Sequence, residues 1–177
     1  AGRHRADGPP LLVGVLEDLK LDGKVALVTG AGTGSLVCEA ASGVWNELQA
    51  GSFLFMDADY ARNEEAPPFR QALFVLATVM SRAVPGTAVV DAGHKAVAVD
   101  SGLPSVWGRP GLRCTGASDE HGAFRAEDGE APPALGEKLR LVPGHCDPTV
   151  DRHDWYVGVR DGRVECLWPV AARGAMA

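Results

Sequence analysis

The chain has 177 residues, 46% of them hydrophobic and 23% charged, with a formal net charge of -6 at neutral pH. That length holds one domain with a real core, or a domain and a fragment, and falls short of the about 250 residues of a whole (β/α)8 barrel. The acidic balance argues against nucleic acid or an anionic membrane surface as the main partner, and no apolar run reaches the roughly 18 residues of a membrane span.

The opening residues carry charge and prolines without an apolar h-region, so no secretory leader is visible. Cys38, Cys114, Cys146 and Cys166 are dispersed without C-x-x-C spacing and read as reduced thiols of a cytoplasmic protein. Leu11, Leu12, Val15, Leu16 and Leu19 recur at helical spacing, which predicts a helix over 11–21 closed by Leu21-Asp22-Gly23. Val25 to Thr29 predicts a short buried strand. A helix–strand step of this kind, followed by a glycine-rich turn, is the grammar of an α/β layer.

In that turn Gly30, Gly32 and Gly34 let backbone N–H groups converge on an anion, while Thr29, Thr33 and Ser35 add hydroxyls. A plain tight turn has the same composition. Leu21 to Gly32 also resembles the first strand and loop of short-chain dehydrogenases, which bind NAD(P) through T-G-x-x-x-G-x-G. The last glycine of that pattern is Leu36 here, and the following segment is interrupted by Gly43, Trp45 and Gly51. A Tyr-x-x-x-Lys pair is also missing: Tyr60 is followed by Glu64 at that spacing, and Tyr156 by Arg160. The dehydrogenase reading therefore fails after residue 35.

From Val44 onward the sequence breaks into short alternating segments punctuated by Ala66-Pro67-Pro68 and Pro85-Gly86. Phe53, Phe55, Val75, Val79 and Val89 are expected on inward faces of strands. Phe69 to Arg82 reads as a strand on its valines and continuity, and Val97–Asp100 and Leu112–Gly116 as brief strands. Glu127 to Gly136 is a proline-bearing loop, and Lys138 to Val142 leads as a strand into Pro143-Gly144-His145-Cys146-Asp147-Pro148-Thr149-Val150. Tyr156–Arg160 and Val164–Trp168 form a hairpin across Asp161-Gly162, the strongest turn signal in the chain. Residues after Val170 are small and expected to be loose.

The Pro143–Val150 stretch, with Asp151-Arg152-His153-Asp154 behind it, crowds more metal ligands and acid/base groups than any other. In an extended segment side chains alternate faces, so His145 and Asp147 would share one face and Cys146 would take the other. An imidazole nitrogen and a carboxylate on one face make half of a divalent metal site, which water or substrate completes. The same residues also suit a polar turn begun at Asp147-Pro148.

This stretch resembles the metal-binding motif of the D-threonine aldolase and D-serine dehydratase family, pyridoxal-phosphate lyases of the alanine-racemase-like fold. Val28 to Ser35, Glu47 to Ser52 running on to Met56-Asp57, Val90 to Lys95, and Ser118 to Gly122 resemble further stretches of that family. They occur in the family's order, from about residue 25 to residue 174. The resemblance implies that Gly30, Gly32, Thr33, Gly34 and Ser35 hold the cofactor phosphate, that His145 and Asp147 hold Mn2+ or Mg2+, with Zn2+ as the alternative, and that Asp91 and Gly93 shape the site. Aspartate stands where the family's dehydratases carry a cysteine ligand, which tilts the reading to an aldolase and leaves Cys146 a bystander.

The implied fold is mainly β: an antiparallel β-domain over 43–177, preceded in 1–42 by the last helix–strand unit of a truncated barrel. The implied substrate is a small β-hydroxy-D-amino acid. A lysine to carry the cofactor as a Schiff base is not found in a matching context, since Lys20, Lys24, Lys95 and Lys138 all stand elsewhere. No catalytic residue is therefore assigned, and activity is expected to need the amino-terminal barrel or a second subunit. The competing readings are a dehydratase-type lyase fragment, a non-catalytic metal-binding module and, last, a short-chain dehydrogenase fragment.

Overall fold

The computed structural model describes residues 29–30, 32–64, 69–127 and 129–175. The helix expected over 11–21 and residues 25–28 of the expected first strand lie outside the described residues. The described chain begins with a small α/β step. Strand β1 (Thr29–Gly30) pairs in parallel with β2 (Glu47–Leu48), and helix α1 (Leu36–Ser42) connects the two. Gly43 stops α1 at φ 70°, in the left-handed conformation that glycine adopts without a Cβ penalty.

The main body is a closed antiparallel barrel of six strands: β3 (Val75–Ser81), β4 (Thr87–Val90), β5 (Ser105–Val106), β6 (Leu112–Ala117), β7 (Gly122–Ala126) and β8 (Lys138–Val142). Their order around the barrel is β3–β4–β7–β6–β5–β8, with β8 returning to pair β3. Alternation along each strand sends Val75, Ala77 and Val79, Ala88 and Val90, Leu112 and Cys114, and Leu139 and Leu141 into one core. The fully buried Phe124 stands in register between Ala88 of one neighbouring strand and Cys114 of the other. Small residues beside a large one let the ring fill a narrow interior.

The strands expected at 112–116 and 138–142 are present as β6 and β8, and 127–136 carries no strand among its described residues. Elsewhere the expectations need correction. Phe69 to Phe74 is irregular, so β3 begins only at Val75. On β4 it is Ala88 and Val90 that face inward, and Val89 is half-buried, one residue off the expected register. Phe53 and Phe55 belong to no strand: Phe55 and Met56 donate their N–H groups back to the Ser52 carbonyl in a 3-10 turn. Residues 97–100 are not a strand either. Ala96 and Val97 fold back onto the Gly93 carbonyl, Val97 joins the barrel core, and the Ala98 N–H donates to Thr149 Oγ1.

After β8 comes a one-turn helix, α2 (Cys146–Val150), then the hairpin of β9 (Trp155–Arg160) and β10 (Arg163–Pro169). Asp161 and Gly162 have φ of 49° and 75°, the two positive values of a tight hairpin turn. The last described residues are anchored rather than loose. Val170 N–H donates to the Asp154 carbonyl, Gly174 N–H donates to Asp151 Oδ1, and Arg173 pairs with Asp154. No disulfide joins Cys38, Cys114, Cys146 or Cys166. Among the described residues no helix is long and apolar enough to cross a membrane.

Candidate metal and phosphate sites

Strand β8 delivers the chain into a buried turn at Pro143 and Gly144. Gly144 is required there, because a Cβ would stand 2.1 Å from the backbone oxygen of Gly102. His145 is the last extended residue, at φ -142° and ψ 126°, and α2 starts at the next one. Pro148 is tolerated in so short a helix because first-turn N–H groups have no helical partner. Thr149 fastens the turn, its hydroxyl donating to the His145 carbonyl at 2.7 Å and accepting the Ala98 N–H at 3.1 Å.

The expected extended geometry of 145–147 is therefore wrong, since Cys146 and Asp147 are helical. The two expected ligands meet all the same: His145 Nε2 lies 3.8 Å from Asp147 Oδ2. Donors each about 2.1 Å from a common ion stand about 3–4 Å apart, so the pair fits a divalent cation. The other ring nitrogen, His145 Nδ1, lies 2.9 Å from Asp100 Oδ2. The Asp100 carboxylate can only accept, so Nδ1 carries a proton and Nε2 is the nitrogen that could coordinate once deprotonated, the carboxylate–histidine arrangement that orients metal ligands. Ser52 Oγ donates to Asp147 Oδ1 at 3.3 Å. Among the described residues no group of three or more histidine, cysteine or acidic side chains is placed to hold a metal ion. A pair of side chains such as His145 and Asp147 would need water or substrate to complete the coordination of any metal.

Burial draws the His145 imidazole down, but the Asp100 hydrogen bond and charge, with Asp147 and Asp57, outweigh it and hold the group above its usual value. The same bond holds Asp100 below the ordinary carboxylate range. Cys146 is fully buried and turned inward, and its burial pushes the thiol up to about 12. Its Sγ donates to Asp147 Oδ1 at 3.1 Å. Tyr156 stacks on Phe55 with ring centroids 5.6 Å apart, and burial raises its phenol above the usual value.

The glycine turn lies on the far side of residues 57–63. Thr33 is 1% exposed, and its Oγ1 is a buried polar atom with no hydrogen-bond partner. A buried hydroxyl left this way is costly, and an anion oxygen would satisfy it, so the loop fits a phosphate. Gly34 packs closely: a Cβ on it would stand 2.9 Å from both Asn63 Nδ2 and Tyr60 Cδ1. Asn63 Nδ2 also donates to the Gly34 carbonyl at 3.2 Å. The Ser35 hydroxyl is engaged by Glu39 at 2.6 Å. Gly30 ends β1 at the entrance to the turn.

The other singled-out residues have partners of their own. Asp91 accepts the Thr78 N–H, and Lys95 pairs with Glu120 at the surface. Lys138 reaches Thr78 Oγ1. Gly93 packs tightly on the backbone of 118–121, where a Cβ would come 2.2 Å from the Ser118 oxygen. Asp100 next to His145 is not anticipated from the sequence, whereas Ser52 and Asp57 lie in a family-like stretch that carries no assigned role. The turn signal Asp100-Ser101-Gly102 marks a loop, but nothing local reveals that it meets His145 across 45 positions.

The barrel and its flanking elements form a serine dehydratase-like β-domain. The family profile described as "Putative serine dehydratase domain" matches residues 72–159, and the chain belongs to the D-threonine aldolase and D-serine dehydratase-like family. It is 56% identical over 154 residues to 3-hydroxy-D-aspartate aldolase of Paracoccus denitrificans (strain Pd 1222), covering 83% of this chain and 39% of that protein. The crystal structure of D-threonine aldolase from Filomicrobium marinum superimposes with a TM-score of 0.81 at 51% identity, over 93% of this chain and 46% of the other. Two mutant structures of D-threo-3-hydroxyaspartate dehydratase, an enzyme of Delftia sp. HT23, also match. A cysteine-to-alanine mutant in the metal-free form aligns with a TM-score of 0.66 at 33% identity, over 86% of this chain and 46% of that one. A histidine-to-alanine mutant aligns with a TM-score of 0.69 at 30% identity, over 89% and 46%. The chain thus spans less than half the length of these relatives.

Proposed function

We propose that this chain is the metal-bearing half of a pyridoxal-phosphate-dependent lyase that cleaves small β-hydroxy-D-amino acids in the manner of a D-threonine aldolase. In this reading residues 1–42 end the cofactor barrel and 43–177 form the metal-binding domain of a cytoplasmic enzyme. The observation that carries it is His145 Nε2 facing Asp147 Oδ2 at 3.8 Å with Nδ1 held by Asp100. The dehydratase relatives add support: their substituted histidine and cysteine stand two positions apart, the spacing of His145 and Asp147, and one of them is described as metal-free. Aspartate at the second place favours the aldolase over the dehydratase and an oxygen-seeking ion, Mn2+ or Mg2+, over Zn2+.

Each residue then has a task. His145 and Asp147 hold the metal, and Asp100 fixes the imidazole so that Nε2 is the coordinating atom. Thr33 Oγ1 and the backbone of Gly30, Gly32, Gly34 and Ser35 hold the cofactor phosphate. Phe55 and Tyr156 wall the metal turn and limit water. When bound, the metal supplies Lewis acidity for a substrate β-hydroxyl and the cofactor supplies an electron sink for Cα–Cβ cleavage. The lysine that carries the cofactor is assigned to the part of the relatives' length that this chain does not span, because Lys95 and Lys138 are both occupied away from the sites. The chain alone is therefore proposed to bind metal and to lack lyase activity.

Calorimetric titration of Mn2+ into the chain and its variants tests this. His145→Ala and Asp147→Ala should each abolish binding, since two protein ligands leave no redundancy, and Cys146→Ala should retain it. Binding lost in Cys146→Ala and kept in Asp147→Ala would move the chain to the dehydratase side of the family. No binding by the unsubstituted chain would refute the metal assignment.

A further inference from the structure

Asp57 is a carboxylate with 0% exposure, and a buried carboxylate must find its hydrogen bonds within the protein. Its two oxygens serve two separate parts of the chain. Oδ2 accepts the Cys146 N–H at 2.9 Å, and Oδ1 accepts the Tyr60 N–H at 2.9 Å. The residues after it add backbone bonds of their own. Ala58 N–H donates to the Pro143 carbonyl at 2.9 Å and Asp59 N–H to the Gly144 carbonyl at 3.2 Å. Residues 57–59 are thereby fastened to the chain on both sides of His145. The same short segment ends in Tyr60 and Asn63, which pack on and bond to Gly34 of the glycine turn.

We propose that Asp57 is the positioning residue that fixes the metal turn relative to the phosphate loop, an inference that rests on the metal reading given above. Asp57 touches neither the ion nor the phosphate. It acts by holding the backbone of Cys146, between the two ligands, in one frame with Tyr60, the residue packed on Gly34. Substitution by asparagine keeps the shape but replaces one acceptor oxygen by an NH2 group, so one of the two N–H donors must face another donor. The metal turn and the phosphate loop are then tied only by the backbone bonds of Ala58 and Asp59, a looser common reference.

The test uses the full chain, with Mn2+ alone in calorimetry and diamagnetic Zn2+ in an amide NMR titration. In the unsubstituted chain, Zn2+ should shift the amides of Tyr60 and Gly34 along with that of Cys146. Asp57→Asn should weaken Mn2+ binding about tenfold or more, as loss of an outer-sphere partner does, and should uncouple the Gly34 shift while keeping a folded spectrum. Metal binding that shifts Cys146 but neither Tyr60 nor Gly34 would overturn the inference on the unsubstituted chain alone, whether or not the variant folds. Equal Mn2+ affinity in Asp57→Asn would overturn it as well. Failure of the unsubstituted chain to bind either ion would instead bring down the metal reading, and this inference with it.

Discussion

Replacing Gly144 by alanine should damage stability and metal binding together. A Cβ there would stand 2.1 Å from the Gly102 oxygen and 3.0 Å from the Gly102 carbonyl carbon. A close C···O contact is roughly 3.3 Å, so the two backbones must part by about 1 Å. Neither atom belongs to a flexible side chain, and Gly144 is held by its own carbonyl bond to Asp59. The cost should reach the upper end of overpacking, about 3 kcal/mol, which lowers the melting temperature by roughly 6–12 °C in a protein of this size. The loop that recoils is the one carrying Asp100, so the contact with His145 should lengthen and Mn2+ affinity should fall as well. Thermal melts followed by circular dichroism and calorimetric Mn2+ titration measure the two effects. Gly51→Ala is the control: a Cβ there meets nothing within 4 Å, so it should change stability by no more than about 0.5 kcal/mol. A Gly144→Ala protein that melts within about 2 °C of the parent would refute the close-approach argument.

Two more outcomes concern the core. Phe124→Ala empties the centre of the barrel between Ala88 and Cys114 and should cost about 3–5 kcal/mol in a urea melt; a loss below about 1 kcal/mol would mean that the barrel collapses onto the gap. In thiol titration with a disulfide reagent at pH 8, exposed Cys38 should react at once. Cys114 and Cys146, buried and with raised thiol pKa values, should react only after denaturation; prompt reaction of Cys146 would contradict its placement.

Much of the β-domain was legible because its strands carry local signals. Val75 with Val79, Leu112 with Cys114, and Leu139 with Leu141 alternate cleanly, and Asp161-Gly162 can make one kind of turn. What local pattern does not encode is which strand pairs with which. The closure of β8 onto β3 joins residues more than 60 positions apart, as Val75 and Leu141 show. The site shows the same division. His145 and Asp147 stand together in sequence, whereas Asp57 and Asp100 reach that turn across 89 and 45 positions. The extended reading of 145–147 failed because Thr149, by bonding back to the His145 carbonyl, favours a helical turn that no alternation of polar residues announces. Residues 97–100 failed likewise: Val97 is buried in the barrel core and Ala98 is buried with its N–H on Thr149 of α2, and neither lies in a sheet.

The barrel and the hairpin differ in how they treat other chains. Because β3 to β8 form a ring, their backbone hydrogen-bonding groups are used up, and the barrel offers no template on which a neighbour could add a strand. Among the described residues the β9–β10 ribbon has an outer edge on each strand, and one face lines up Trp155, Val157, Val159, Val164 and Leu167, every one more than half exposed. A long, apolar, open-edged ribbon is the form in which proteins stick to themselves. Self-association of this chain at high concentration would therefore begin at its last hairpin, and lysines placed at Val157 and Leu167 would raise its solubility while leaving the barrel's unfolding transition where it was.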